Sequence, residues 1–139
     1  MSTTTITVAR AIPNSVLFAI FVTALEGGIG YWARCDAYRW RQRDADGAPL
    51  EPAREDCDGF YANVTDCIDS ETYRIDRETI AAGLAKLLGP VPCAAPRIVE
   101  SAMQEIAGGA AHGGDGGYLD AEGADAIVQL GLFGRIVYG

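Results

Sequence analysis

An unbroken apolar run near the start of the chain predicts the first helix. Residues 16–22 are all apolar, and the Pro-Asn-Ser sequence at residues 13–15 is typical of a capped helix start. Because apolar side chains cover every face, we expect this helix to lie at the centre of the core. It should run to about Leu25, where Gly27 or Gly28 would supply the left-handed residue that ends a helix.

Alternation with a period of two follows between residues 31 and 40 and predicts a strand. Its small, apolar face, which we expect to pack against a helix, contains Tyr31, Ala33, Cys35 and Ala37. Its other face mixes aromatic and charged side chains and contains Trp32, Arg34, Asp36, Tyr38 and Trp40. Similar but shorter stretches predict further strands at residues 4–9, 60–68, 72–75 and 135–138.

Three further helices follow from apolar stripes with helical spacing. Asp76 caps the first of them, and a Gly-Pro pair at residues 89–90 closes it. The next begins near Pro96, and the last runs from a cap at Asp120 to a break at Gly134. The predicted buried positions of these helices are Ile80, Leu84, Leu87, Leu88, Ile98, Val99, Ala102, Met103, Ile106, Ala124, Ile127, Val128 and Leu130.

These elements predict an α+β fold in a single domain over residues 1–139. A small antiparallel sheet of about three to five strands would pack against the buried N-terminal helix and three further helices. Two segments are expected to be flexible loops. Residues 42–58 are polar with several acids and prolines, and residues 108–117 contain six glycines in ten positions.

The overall charge narrows the classes of partner. The 139 residues carry a net charge of −8, which disfavours binding to nucleic-acid phosphates and favours basic protein partners or cations. The start of the chain lacks the basic and long apolar regions of a signal peptide. No apolar run approaches the roughly 20 residues of a membrane span. We therefore expect a soluble, cytoplasmic protein without a membrane or direct nucleic-acid partner.

The cysteine pattern predicts no metal site. The four cysteines, none in a C-x-x-C pair, are Cys35, Cys57, Cys67 and Cys93. We expect buried free thiols and no cofactor, with a Cys57–Cys67 disulfide as the alternative. The one histidine, His112, lies with Asp115 in the glycine-rich loop. A lid that carries a catalytic histidine would fit this position, but a solvated side chain is the simpler expectation.

The candidate site is the junction of the first helix with the following strand. Its candidate ligand-binding residues are Glu26, Gly27, Gly28, Gly30, Tyr31 and Trp32. Dinucleotide loops place their glycines before a helix, whereas here they follow one, so the helix presents its negative end. Phosphate binding at this turn is therefore disfavoured. A helix cap with a tight turn would explain the glycines, but not the aromatic pair or the acid at a helix end.

A basic and aromatic stripe follows in the same strand. It consists of Arg34, Arg39, Arg41 and Arg43 with Tyr38 and Trp40. Such a stripe can stack bases or hold acidic partners. An exposed sheet face gives the same pattern, so both interpretations stay open.

Two segments resemble a family of small bacteriophage and prophage proteins that is well represented in actinobacterial phages. They are TALEGGIGYW at residues 23–32 and DAIVQLGLFGRIVYG at residues 125–139. Residues 44–55 and the glycine-rich loop look like variable insertions in this comparison. The resemblance implies phage origin and expression inside a bacterium, and it carries no catalytic residue over to this chain.

These observations favour a function in binding. Small acidic phage proteins are often host-takeover or anti-defence factors, so we expect a host or defence protein as the partner. One alternative is sequestration of a small nucleotide-like ligand, stacked on Tyr31 or Trp32 with a polar contact from Glu26, at a site that a homo-oligomer interface would complete. The second alternative is a small hydrolase with Glu26 as general base, assisted by His112 or Asp36.

Overall fold

Four helices and a three-stranded antiparallel sheet form the described part of the chain, which comprises residues 2–6, 9–109 and 119–139 of a computed structural model. The predicted α+β fold is confirmed. The elements are α1 (Asn14–Thr23), a π-helical turn (Ala24–Gly28), β1 (Ala33–Arg39), β2 (Tyr61–Asp66), β3 (Thr72–Asp76), α2 (Arg77–Leu87), α3 (Pro96–Gln104), a second π-helical turn (Glu105–Gly109) and α4 (Ala121–Phe133). Within the described ranges, no helix is long and apolar enough to cross a membrane.

α1 forms the centre of the core, as its apolar sequence predicts. Residues 16–21 are all buried. Phe21 packs against Phe60 with ring centroids 4.5 Å apart and meets the edge of Trp40 at 6.3 Å. Burial of one such aromatic side chain contributes roughly 1.5–3 kcal/mol to stability. These contacts fix the end of β1 and the start of β2 over α1.

The sheet has the order β1-β2-β3, and β1 is an edge strand. Its pairing with β2 starts where Ala33 meets Asp66, and the register shifts between Cys35 and Ala37. β2 buries alternate side chains, whereas residues 34–38 of β1 are exposed on both faces. The predicted apolar face of β1 is therefore wrong, because a bulge breaks the alternation and no helix of the described ranges covers residues 34–38.

The backbones of α2 and α4 are in contact where the helices cross. A Cβ at Gly83 of α2 would overlap the carbonyl group of Ile127. A Cβ at Gly131 of α4 would overlap the carbonyl group of Thr79. Both glycines are therefore required by the close approach of the two helices.

The predicted ends of α2 and α4 are confirmed. The carboxylate of Asp76 accepts the backbone N–H of Thr79 at 3.1 Å, and that of Asp120 accepts the N–H of Gly123 at 2.8 Å. Each bond satisfies one of the free donors at a helix start. Gly134 ends α4 in the left-handed conformation, with φ 73°.

Of the glycines after α1, Gly28 serves a close contact, and none adopts a left-handed conformation. The π-helical turn ends at Ile29 with φ −92°, and neither Gly27 nor Gly28 has a positive φ. A Cβ at Gly28 would lie 2.8 Å from the carbonyl oxygen of Ala121 at the start of α4. The prediction of a left-handed cap here is wrong, because Gly28 is needed for packing against another helix.

Two of the predicted strands do not form within the described residues. Residues 4–6 and 9 have no regular structure, and residues 7 and 8 lie outside the described ranges. Residues 135–138 follow α4 without pairing to any described strand. They belong to a tail segment, residues 134–139, that a side chain of α4 holds.

Only the first of the two predicted loops lies fully within the described residues. Residues 42–58 fold back on themselves, because antiparallel bridges join Arg43 to Pro49 and Glu55 to the preceding Arg41. Its flexibility stays a prediction. Residues 110–118, with His112 and Asp115, lie outside the described residues, and the lid stays a prediction as well.

All four cysteines are free thiols, and the alternative Cys57–Cys67 disulfide is not formed. Cys35 and Cys67 are exposed. The predicted burial is wrong for these two residues, because one lies on the edge strand and the other follows β2. Among the described residues, no three His, Cys, Asp or Glu side chains form a group that could hold a metal ion.

Candidate functional site

The predicted site at the end of α1 divides into exposed and buried residues. Glu26, Gly27 and Gly30 are exposed, whereas Gly28 and Trp32 are buried. Glu26 forms no hydrogen bond or ion pair with the described part of the chain. The acid thus lies in solvent and the indole in the core, so the six candidate residues do not share one surface.

Asp125 of α4 binds both aromatic residues of the predicted site. The hydroxyl of Tyr31 donates to Asp125 Oδ2 at 2.6 Å, and Trp32 Nε1 donates to Asp125 Oδ1 at 2.8 Å. Trp32 is 0% exposed and stacks on Tyr138 at 5.3 Å, whereas Tyr31 is 58% exposed. The Trp32 ring therefore offers no open face, and Tyr31 is the accessible ring of this pair.

Gln129 connects Asp125 to the tail segment. Its Nε2 donates to Asp125 Oδ1 at 3.0 Å and to the carbonyl oxygen of Tyr138 at 3.2 Å. Its Oε1 accepts the backbone N–H groups of Val137 and Tyr138, both at 2.8 Å. The fully buried amide thus replaces the strand partner that the tail segment lacks. We call Tyr31, Trp32, Asp125 and Gln129 the Asp125 network.

A second buried acid binds the side chain of Tyr138, whose backbone Gln129 holds. The hydroxyl of Tyr138 donates to Asp66 Oδ2 at 2.6 Å, and the backbone N–H of Ile68 donates to Asp66 Oδ1 at 2.8 Å. Burial alone raises the pKa of Asp66, but these hydrogen bonds outweigh it and place the pKa below its ordinary value. The hydrogen bond to Asp66, followed by burial, raises the pKa of Tyr138 to about 12.

The same physical effects act on Tyr31. Burial, followed by the hydrogen bond to Asp125, raises the pKa of Tyr31 to about 12. Both tyrosines therefore stay neutral over the physiological range and act as hydrogen-bond donors. A neutral, bonded phenol is the form expected of a structural contact.

Sequence reasoning missed Asp125 and Gln129. Both are buried in α4, whose predicted core positions are apolar only. The available signal is their spacing, because polar residues four positions apart on an apolar helix face point to a buried pair. The partners of that pair could not be read from the spacing.

A basic–aromatic pocket lies at the end of β1. This cavity of about 210 Å³ is lined by Tyr38, Arg39, Trp40, Arg41 and Arg43. The rings of Tyr38 and Trp40 stack at 4.3 Å. Five of the six residues of the predicted stripe therefore come together. Arg34 does not line the cavity, and its side chain pairs with Asp36 at 2.8 Å.

The cationic groups of this pocket are only partly neutralised. Arg39 Nη2 lies 3.5 Å from Asp56 Oδ2, and its buried Nε has no hydrogen-bond partner in the described ranges. Arg43 donates to the carbonyl oxygen of Gly47 at 2.9 Å. Arg41 is exposed and forms no ion pair with the described residues. The pocket thus combines free donors with an open ring.

An apolar surface lies between α2 and α3. Two cavities of about 550 Å³ and 390 Å³ adjoin there and share Leu88 and Met103. Their other apolar residues include Ile12, Leu17, Leu84, Leu87, Val99 and Ile106. Met103 was predicted to be buried but is 57% exposed, because no described element covers this side of α3. We call this surface the α2–α3 groove.

Comparisons with protein families, with curated proteins and with solved structures find no match. The resemblance to phage proteins stays a prediction.

Proposed function

We propose that this chain is a small binding protein whose partner is another protein, contacted through the α2–α3 groove. In line with the resemblance of its two motifs, the partner would be a host or defence protein in the cytoplasm of a phage-infected bacterium. The observation that carries the proposal is the pair of adjoining apolar cavities on either side of Leu88 and Met103.

The chemistry of the groove favours a helical segment of the partner. Its lining is apolar apart from Arg10 and Glu100, and its two cavities would take successive apolar side chains from one helix face. Exposed apolar surface of this kind marks interaction sites on soluble proteins. The flexible thioether of Met103 adapts to the shape of a partner.

The net charge of this chain indicates that the polar face of the partner helix is basic. A chain with a net charge of −8 attracts basic partners and repels acidic ones at long range. The expected occupant is therefore an amphipathic helix with a basic outer face.

A pair of surface variants tests this proposal. Met103→Glu places a charge in the groove, and Ile68→Glu places the same charge on an exposed apolar residue outside it. Immobilised wild-type protein and the two variants are compared by capture from bacterial lysate. We expect one dominant protein to be retained by the wild type and by Ile68→Glu and to be lost with Met103→Glu.

Two outcomes would contradict the proposal. In one, Met103→Glu captures the same protein as the wild type. In the other, sedimentation shows a dimer that Met103→Glu dissociates, because a second copy of the chain would then be the occupant of the groove.

A further inference from the structure

We infer that the basic–aromatic pocket binds a mononucleotide, with its phosphate on the arginines and its base stacked on Tyr38. This inference is independent of the α2–α3 groove, because the two regions share no lining residue. It places a nucleotide-like ligand at a different location from the turn that contains Glu26. At that turn a phosphate would face the negative end of a helix.

The arginines supply the anion-binding half of the site. Three of the eleven Lys and Arg residues of an acidic chain line one small cavity. Like charges placed close together repel one another unless an anion joins them. Arg39 is partly neutralised by Asp56, whereas Arg41 has no anionic partner among the residues described. A phosphate is the anion whose geometry fits several guanidinium donors at once.

A buried donor without a partner points in the same direction. Arg39 Nε has no hydrogen-bond partner within the described residues although the atom is buried. Buried donors are normally satisfied, so an acceptor from outside the chain is expected at this position. A phosphate oxygen supplies it.

The aromatic pair supplies the other half of the site. One face of Tyr38 is covered by Trp40, yet the side chain is 57% exposed, so its opposite face is open. Trp40 is in turn held against Phe21 of the core. The open ring is therefore a fixed platform of the kind on which nucleobases stack.

Size and charge favour a single nucleotide over a long strand. A cavity of about 210 Å³ takes the phosphate, while the base rests at the rim on Tyr38. The net charge of −8 repels a long polyanion, whereas a ligand with one phosphate interacts mainly with the nearby arginines.

Calorimetric titration at low ionic strength tests the inference with three probes: AMP, adenosine and inorganic phosphate. Three variants are compared: Arg41→Gln, Tyr38→Leu and, as the matched arginine control on β1 outside the cavity, Arg34→Gln. AMP should bind the wild type more tightly than either fragment. Arg41→Gln should weaken AMP about tenfold, as for loss of a charge-assisted hydrogen bond. Tyr38→Leu should weaken AMP and leave phosphate unchanged, and Arg34→Gln should match the wild type.

Each of the following results would overturn the inference. AMP shows no binding at millimolar concentration, or Arg34→Gln weakens it as much as Arg41→Gln does. AMP and phosphate bind equally and Tyr38→Leu changes neither, which would make this a phosphate site only. An oligothymidylate binds where AMP does not, which would make it a site for single-stranded nucleic acid. Circular dichroism of each variant establishes that it is folded.

Discussion

The two ends of β1 carry the same kind of aromatic pair in opposite roles. Tyr31 and Trp32, before the strand, are bound by Asp125, and the Trp32 ring has no exposed surface. Tyr38 and Trp40, at the other end, stack on each other beside three arginines, and one face of Tyr38 stays open. Tyr31 and Tyr38 are almost equally exposed, at 58% and 57%, so the pairs differ in their partners. The first pair is hydrogen-bonded to α4, whereas the second stacks beside the arginines of the pocket.

The role of an aromatic residue here depends on its partner in space and not on its neighbours in sequence. Tyr31 and Trp32 follow a glycine turn that is typical of a binding site. Their partner Asp125 lies more than 90 residues away in the chain. A buried acid that satisfies an indole N–H turns a candidate ligand platform into a core contact.

Of the substitutions in these two aromatic pairs, Trp32→Ala should cause the largest loss of stability. The change removes a fully buried ring, so the free energy of unfolding should fall by about 3–5 kcal/mol. Tyr38→Ala is the matched variant at the other end of β1. It should lower the free energy by about 1 kcal/mol or less, because only a ring contact on an exposed side chain is lost. Urea denaturation followed by far-UV circular dichroism measures both, and equal losses would contradict the assignment of roles.

Alkaline pH should distinguish the two pairs by a smaller effect. The folded protein holds the pKa of Tyr31 and Tyr138 at about 12, above the ordinary value of 10.0. Each neutral phenol therefore contributes stability that is fully present below pH 10 and is lost as the pH rises towards 12. The urea midpoint should fall over this interval. The fall should be shallower in Tyr31→Phe and unchanged in Tyr38→Phe, whose hydroxyl donates no hydrogen bond within the described chain.

Tyr38→Phe and Tyr31→Phe could reduce the fall of the urea midpoint at alkaline pH by the same amount. The hydrogen bond between Tyr31 and Asp125 would then not be the cause of the fall. The midpoint is compared between pH values for each variant by itself, so a constant loss of stability in a variant does not affect the result.

Glu26→Ala should have the smallest effect. The carboxylate is exposed and makes no hydrogen bond or ion pair with the described residues, so the free energy of unfolding should change by less than about 0.5 kcal/mol. Gly28→Ala, two positions further on, is the contrasting variant. Its Cβ would press on the carbonyl oxygen of Ala121, and thermal unfolding should show a clear loss of stability. A large loss in Glu26→Ala would show that this acid has a structural partner after all.

The sequence predicts the parts of this fold that depend on local interactions. The apolar run of α1, the cap at Asp76 and the left-handed Gly134 each act within a few residues, and the structure confirms them. The sheet is predicted in its three strands but not in the faces of β1. The bulge after Cys35 arises from pairing with β2, which no periodicity along β1 reveals.

The candidate site was harder to predict because its residues act over long sequence distances. Gly28 is needed because the start of α4 lies close to its backbone. A helix cap would require a glycine equally well, so the sequence does not distinguish the two reasons. Gln129 is a buried side chain whose function is to bind the tail segment. The basic–aromatic stripe was recognised as a pattern, but only the fold separates Arg34 from the three arginines that share a cavity.

The hydrogen bond between Trp32 and Asp125 makes the two tryptophans of the chain distinguishable by spectroscopy. The chain contains two tryptophans, so a ¹⁵N-labelled sample has two indole N–H resonances. The indole N–H of Trp32 is buried and hydrogen-bonded, so it should exchange slowly with deuterium. The indole N–H of Trp40 reports on the basic–aromatic pocket, which Trp40 lines. A ligand in the pocket should shift the Trp40 signal alone, and release of the tail segment should shift that of Trp32. One spectrum therefore separates ligand binding in the pocket from release of the tail segment, and no fluorophore has to be attached to the protein.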